Sequence, residues 1–149
     1  MIRFTVYGSA EPAGSKRAFV VNGHAVVSDA NRKSRGWKTQ VSATARDAYR
    51  GALLDGPIAV TMRFYRPRPA GHMGKKGVRA SAPGHPATRP DVLKLARAVE
   101  DALTGVVWRD DAQIVDERLF KRYGEPARVE VEIESLEPGF PRTQDGLPI

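Results

Sequence analysis

No cysteine occurs in the chain, so disulfides and thiolate metal sites are both excluded, and any metal ion must be held by carboxylates or histidines. Aromatic residues make up only 7% of the sequence, too few for a platform on which successive single-stranded bases stack. No stretch approaches the roughly 20 consecutive apolar residues needed to span a bilayer. The opening MIRFTVYGSAEP alternates like a strand and lacks the long apolar centre of a cleavable signal, so a cytoplasmic protein is expected. Phosphate-loop and nucleophile-elbow motifs are missing too; the GKKG at 74–77 has neither the spacing nor the strand-to-helix setting of the former. The last absence is local: no acidic residue lies between Asp55 and Asp91.

What is present is strongly basic. A net charge of +7 and a pI near 10.0 favour a polyanionic partner, because clustered Lys and Arg concentrate phosphates and release their counterions on contact. At 149 residues the chain suits one compact domain. Ile2, Phe4 and Val6 alternate with polar neighbours, as a half-buried strand requires. Asn22-Gly23 between two β-branched runs predicts a hairpin with a type I′ turn. Asp29 or Asn31 can cap a helix carrying Trp37, Val41, Ala45 and Ala48 on one side and ending near Gly51. A strand over Ile58–Tyr65 follows, then a long basic loop at 66–90, expected to be structureless and therefore functional or disordered. Val92, Leu95, Ala96, Val99, Ala102 and Leu103 predict a second helix stopped by Gly105. Strands are expected over Ala112–Lys121 and Arg128–Glu134, with residues 137–149 as a tail beyond the domain at 1–136. The sum is a single α+β domain: a mixed or mainly antiparallel sheet with two main helices packed on it.

After the acid-free stretch come Asp91, Glu100, Asp101, Asp110, Asp111, Asp116 and Glu117. Hard carboxylate oxygens are what Mg²⁺ requires, and such a site beside basic residues suits phosphodiester hydrolysis. Each acid also has a plainer use. Asp91 after Pro90 suits a helix N-terminus, Asp110-Asp111 suits a polar turn, and Glu100, Asp101, Asp116 and Glu117 suit solvated faces, the first two with Lys94 and Arg97 as partners. His24, His72 and His85 lack ligand spacing and read as surface residues. Trp37 reads as core; Trp108 reads as core, as a turn anchor or as part of a dimer seam.

The series RPDVLKLARAVEDALTGVVWRDDAQIVD resembles the RusA family of Holliday junction resolvases, through an Asp opening a helix, the DAL before a Gly, an aromatic residue, the Asp-Asp pair and the following strand. EPAGSKR near the N-terminus extends the resemblance. It implies a RusA-like fold and a homodimeric endonuclease that cuts four-way DNA junctions with Mg²⁺, or with Mn²⁺ in its place. Asp91 and Asp111 match implied metal ligands, and Arg97 falls where the family commonly has a catalytic lysine. Leu93 occupies the position of the middle carboxylate of the family's Asp-x-Asp motif, so Asp110 or Asp116 is expected to substitute. The alternative is a junction-binding relative with little nuclease activity. In either case Lys16, Arg17, Lys75, Lys76, Arg79, Arg89 and Lys94 are the expected phosphate contacts, with Asp91 and Asp111 converging on one cation where helix start meets strand start.

Overall fold

The structure, a computed structural model, describes residues 1–13, 16–29 and 32–136, and of residues 16–19, 26–29 and 32 it describes the backbone alone. The side chains of Lys16, Arg17 and Asp29, together with Asn31 and the tail at 137–149, lie outside the described residues.

Alternation dictates the central layer. In β4 (Ile58–Arg66), Ile58, Val60, Met62 and Phe64 all point to one side and are buried. In β8 (Arg128–Ser135), Val129, Val131 and Ile133 do the same beside them. With β1 (Ile2–Tyr7) and β7 (Ile114–Tyr123) they form a four-stranded sheet in the order β1-β8-β4-β7. The β1–β8 and β4–β8 pairs are antiparallel and β4–β7 is parallel, so the sheet is mixed. β2 (Lys16–Val21) and β3 (His24–Asp29) make the expected separate hairpin, with Asn22 at φ 50 and Gly23 at φ 79 supplying its turn.

Two helices cover the apolar side of the sheet. α1 (Arg32–Ala48) buries Trp37, Val41 and Ala45, and α2 (Val92–Leu103) buries Leu95, Ala96, Ala98, Val99, Ala102 and Leu103. Each large apolar side chain fully withdrawn from water contributes about 1.5–3 kcal/mol. The helices are tied together where Ser42 Oγ donates to the Ala102 carbonyl at 2.8 Å and Lys38 pairs with Asp101 at 3.2 Å. Gly105, at φ +82, ends the α2 region as expected. The other side of the sheet stays polar, with Arg63 bridging to Glu132 at 3.2 Å and packing over Phe120.

The expectation of a structureless connection at 66–90 is corrected. It contains a 3-10 turn at Ala70–His72 and a minimal hairpin of β5 (Met73–Gly74) and β6 (Gly77–Val78). Side chains hold it in place. Arg68 lies 4.3 Å over the Tyr123 ring and donates to the Pro83 carbonyl at 2.7 Å, His72 meets Tyr123 edge-on, and Lys121 Nζ donates to the Thr88 and Pro90 carbonyls at 2.7 and 2.9 Å. β7 also starts later than expected, because Asp111–Gln113 forms a 3-10 turn before it.

Candidate active site at the two ends of α2

At the N-terminal end of α2, Asp91 is the capping residue, yet its carboxylate makes no capping hydrogen bond and pairs with Lys94 at 3.1 Å. Hydrogen bonding and charge from Lys94, with lesser contributions from Arg89 and Lys121, hold Asp91 below the usual carboxylate range. The loop after β1 packs here, where the Ala13 amide donates to the Lys94 carbonyl at 3.0 Å. Between loop and helix lies an open cleft of about 440 Å³, lined by Arg66, Arg89, Asp91 and Lys94 among others. Three cations surround one acid. The cleft can seat a phosphate close to a carboxylate.

The C-terminal end is built differently. Trp108, fully buried, anchors the turn after α2, and its Nε1 donates between Asp111 Oδ1 at 3.0 Å and Thr104 Oγ1 at 3.1 Å. The Thr104 hydroxyl also approaches Asp111 Oδ1 within hydrogen-bonding distance. Asp111 is therefore oriented through one oxygen, and its Oδ2 takes no part in these bonds. Asp110 serves the backbone instead. Its Oδ1 accepts from the Ala112 amide at 2.9 Å while Gln113 Oε1 accepts from the Asp110 amide at 2.9 Å, a capping box that opens the short turn. Gln113 and Arg109 fasten this turn to the Leu54–Gly56 segment through the Leu54 and Gly56 carbonyls and Asp55.

Two further acids face Asp111, and the sequence reading assigned neither of them there. Glu117 is in register with Val60 and so enters the helix-covered side of the sheet, where its Oε2 is buried without a hydrogen-bond partner. Glu100, from the last turn of α2, lies within hydrogen-bonding reach of Glu117. Burial first, then the charges of Glu117 and Asp111, push Glu100 up to about 7; burial also raises Glu117. Glu100 and Glu117 therefore do not belong to the solvated faces assigned to them, and Asp101 pairs with Lys38 of α1 instead of a neighbour on its own helix. Asp116, in register with Ala59, lies on the opposite side of the sheet and is exposed.

The expected meeting of Asp91 and Asp111 within one chain does not occur. A helix rises 1.5 Å per residue, so the path from Asp91 to Thr104, beside Asp111, is about 20 Å. Arg97 is exposed midway, and Leu93 points an apolar side chain 65% exposed into solvent. Lys75 and Lys76 form the exposed tip of the β5–β6 hairpin; Arg79 is exposed beside them, with its Nε on the Met73 carbonyl at 3.1 Å, and Arg89 is exposed at the cleft. Among the described residues no group of three or more Asp, Glu or His side chains stands ready to hold a metal ion, and no helix is long and apolar enough to cross a membrane.

The signal for Glu117 lies in the strand's parity. Ile114 and Leu119 pack against the core, and a bulge at the Ile58/Ala59 register shift throws Val115 out of phase, so Glu117 shares Leu119's face.

Comparison with known proteins agrees with this architecture. The chain is 33% identical over 138 residues to the uncharacterized protein YqaN of Bacillus subtilis (strain 168), covering 91% of this chain and 96% of that one. The model of the family Endodeoxyribonuclease RusA matches residues 9–134, nearly the whole folded domain. An acid-bearing helix and strand packed on a mixed sheet, a cation-lined cleft and this match together place the chain in the RusA endodeoxyribonuclease family.

Proposed function

We propose that this protein is a cytoplasmic, divalent-cation-dependent endonuclease that resolves four-way DNA junctions as a homodimer. The observation that carries the reading is the division of α2 into a phosphate-seating end and an acidic end, about 20 Å apart along its axis. A two-fold axis crossing α2 near its middle exchanges those ends. Asp91 and the cationic cleft of one subunit then stand against Asp111 of the partner subunit, and Arg97 lies close to the axis. The unpaired edge of β7 and the exposed Leu93 and Val115 offer a seam along this side of the molecule.

The donor set fits Mg²⁺ or Mn²⁺: hard carboxylate oxygens, one of them the partnerless Oε2 of Glu117, with too few ligands to fill the coordination shell and therefore room for water and a DNA phosphate oxygen. Asp111, fixed by Trp108 and Thr104, holds the cation from one side and Asp91 from the other. The chemistry a bound cation supplies is activation of water and neutralisation of charge on the scissile phosphate. Arg97 and Lys94 stabilise charge that develops on the leaving group, and Arg66, Arg89, Lys75, Lys76 and Arg79 hold the flanking backbone. Because these are phosphate contacts, junction shape outweighs base sequence in recognition.

The test uses a synthetic four-way junction with and without Mg²⁺. Asp91→Asn and Asp111→Asn should each bind the junction and fail to cut it. Co-refolded mixtures of the two should regain nicking, because a mixed dimer keeps one site with both aspartates. Mixtures that stay inactive would sink the shared site. Wild-type protein that binds but never cuts in either cation would favour the binding-only alternative that Leu93 suggests.

A further inference from the structure

We propose that Glu100 and Glu117 are cation ligands of this chain, completing with Asp111 the carboxylate set that Leu93 leaves short. The inference rests on the nuclease reading for the presence of a divalent ion, and it names side chains at the end of α2 remote from Leu93. Glu117 sits where the pattern of β7 calls for an apolar residue, between the core-packed Ile114 and Leu119 and opposite Val60. Its Oε2 is buried with no partner, although buried carboxylate oxygens are ordinarily satisfied by a donor or a cation. Glu100 approaches the same carboxylate from α2. Asp111 stands beside both, beyond the end of the helix that carries Glu100, oriented by the Thr104 hydroxyl and the Trp108 indole.

Helix, turn and strand thus each aim an acid at one place, and none of the three is in an ion pair with a Lys or Arg among the described residues. A structural pair could have been made with a lysine on either element. Carboxylates gathered without a counter-charge suit a hard divalent ion, which replaces the missing donor of Glu117 Oε2 and removes the repulsion among them. The remaining positions of the ion stay open to water and to a phosphate oxygen.

The test is Mn²⁺ binding without DNA at pH 8, followed by the electron paramagnetic resonance signal of free Mn²⁺ and by the melting temperature. Wild-type protein should bind saturably at up to millimolar Mn²⁺ and melt at higher temperature with it. Glu117→Gln and Glu100→Gln should each weaken binding by at least about tenfold, while melting no lower than wild type in the absence of metal. Asp47→Asn, on the exposed side of α1, should bind as wild type does. Undiminished Mn²⁺ binding in both Gln variants, or no saturable binding by wild type, overturns the inference. Junction cutting by a Glu117→Gln protein that binds Mn²⁺ normally would remove these ligands and keep the nuclease. Mn²⁺ binding that depends on Glu117 in a protein that never cuts would do the reverse.

Discussion

The two ends of α2 carry acids under opposite electrostatic conditions. Asp91 lies at the N-terminus, where the helix dipole favours a negative charge, and Lys94, Arg89 and Lys121 stabilise it further. Glu100 lies in the last turn, where the dipole disfavours it, and the last turn contains no basic residue. It also faces two more acids. One end is satisfied as it stands, and the other is held in a state that a proton or a cation must relieve. Stability alone accounts for the first arrangement. The second costs stability and is explained by what it binds.

The largest way to break the contrast is to remove the residue that builds the acidic end. Trp108 is fully buried, and it also donates to Asp111. Trp108→Ala should destabilise the domain by about 3–5 kcal/mol in urea unfolding, the range for deleting a large core aromatic. Trp108→Phe, which keeps most of the volume and loses the indole donor, should cost much less stability and still impair cutting. A Trp108→Phe protein that cuts as fast as wild type would show that the Asp111 bond matters little.

A smaller effect separates the ends by pH. Glu100 is raised to about 7 in the folded chain against 4.5 for the free side chain, so the folded state binds the extra proton. Its contribution is present in full below about pH 4.5 and is lost as pH rises through about 7. The metal-free protein should therefore melt at progressively lower temperature across that window, by less than the full shift implies because the group is partly solvated. Glu100→Gln should flatten the decline, and Mn²⁺ at pH 8 should restore the wild type. Asp91 runs the other way: its lowered pKa favours the fold at neutral pH and that support fades in acid, while its full exposure leaves Asp91→Asn with little effect on melting. A profile unchanged by Glu100→Gln would remove the electrostatic difference between the ends.

Much of the fold is legible in the sequence because it repeats. The alternations in β1, β4 and β8, the four-residue spacing of Trp37, Val41 and Ala45, and the Asn22-Gly23 turn follow from backbone period and need no knowledge of neighbours. β7 is less legible: a bulge displaces Val115, and Glu117 and Lys121 place polar groups on the inner face of an edge strand. The order in 66–90 is hidden because it depends on Arg68, His72 and Lys121 meeting partners far along the chain. For the site, motif spacing brings out Asp91 and Asp111. It cannot reveal that α2 carries them at opposite ends, nor that parallel pairing of β4 with β7 delivers Glu117 to Glu100.

The smallest expected effect tests whether the cationic side extends beyond the cleft to the β5–β6 tip. Lys75 and Lys76 are exposed at that tip and bear on neither acid cluster, so their replacement should leave metal binding and melting unchanged. If both reach DNA phosphates, Lys75→Ala/Lys76→Ala should lower the slope of log affinity against log salt by about 0.9 for each phosphate no longer neutralised. The weakening should be nearly the same for any sequence in the junction arms, since a phosphate contact carries no base information. An unchanged slope would confine the DNA path to the cleft near Arg66, Arg89 and Lys94. The ordered hairpin would then serve to brace the start of α2 through the Lys121 bonds to Thr88 and Pro90.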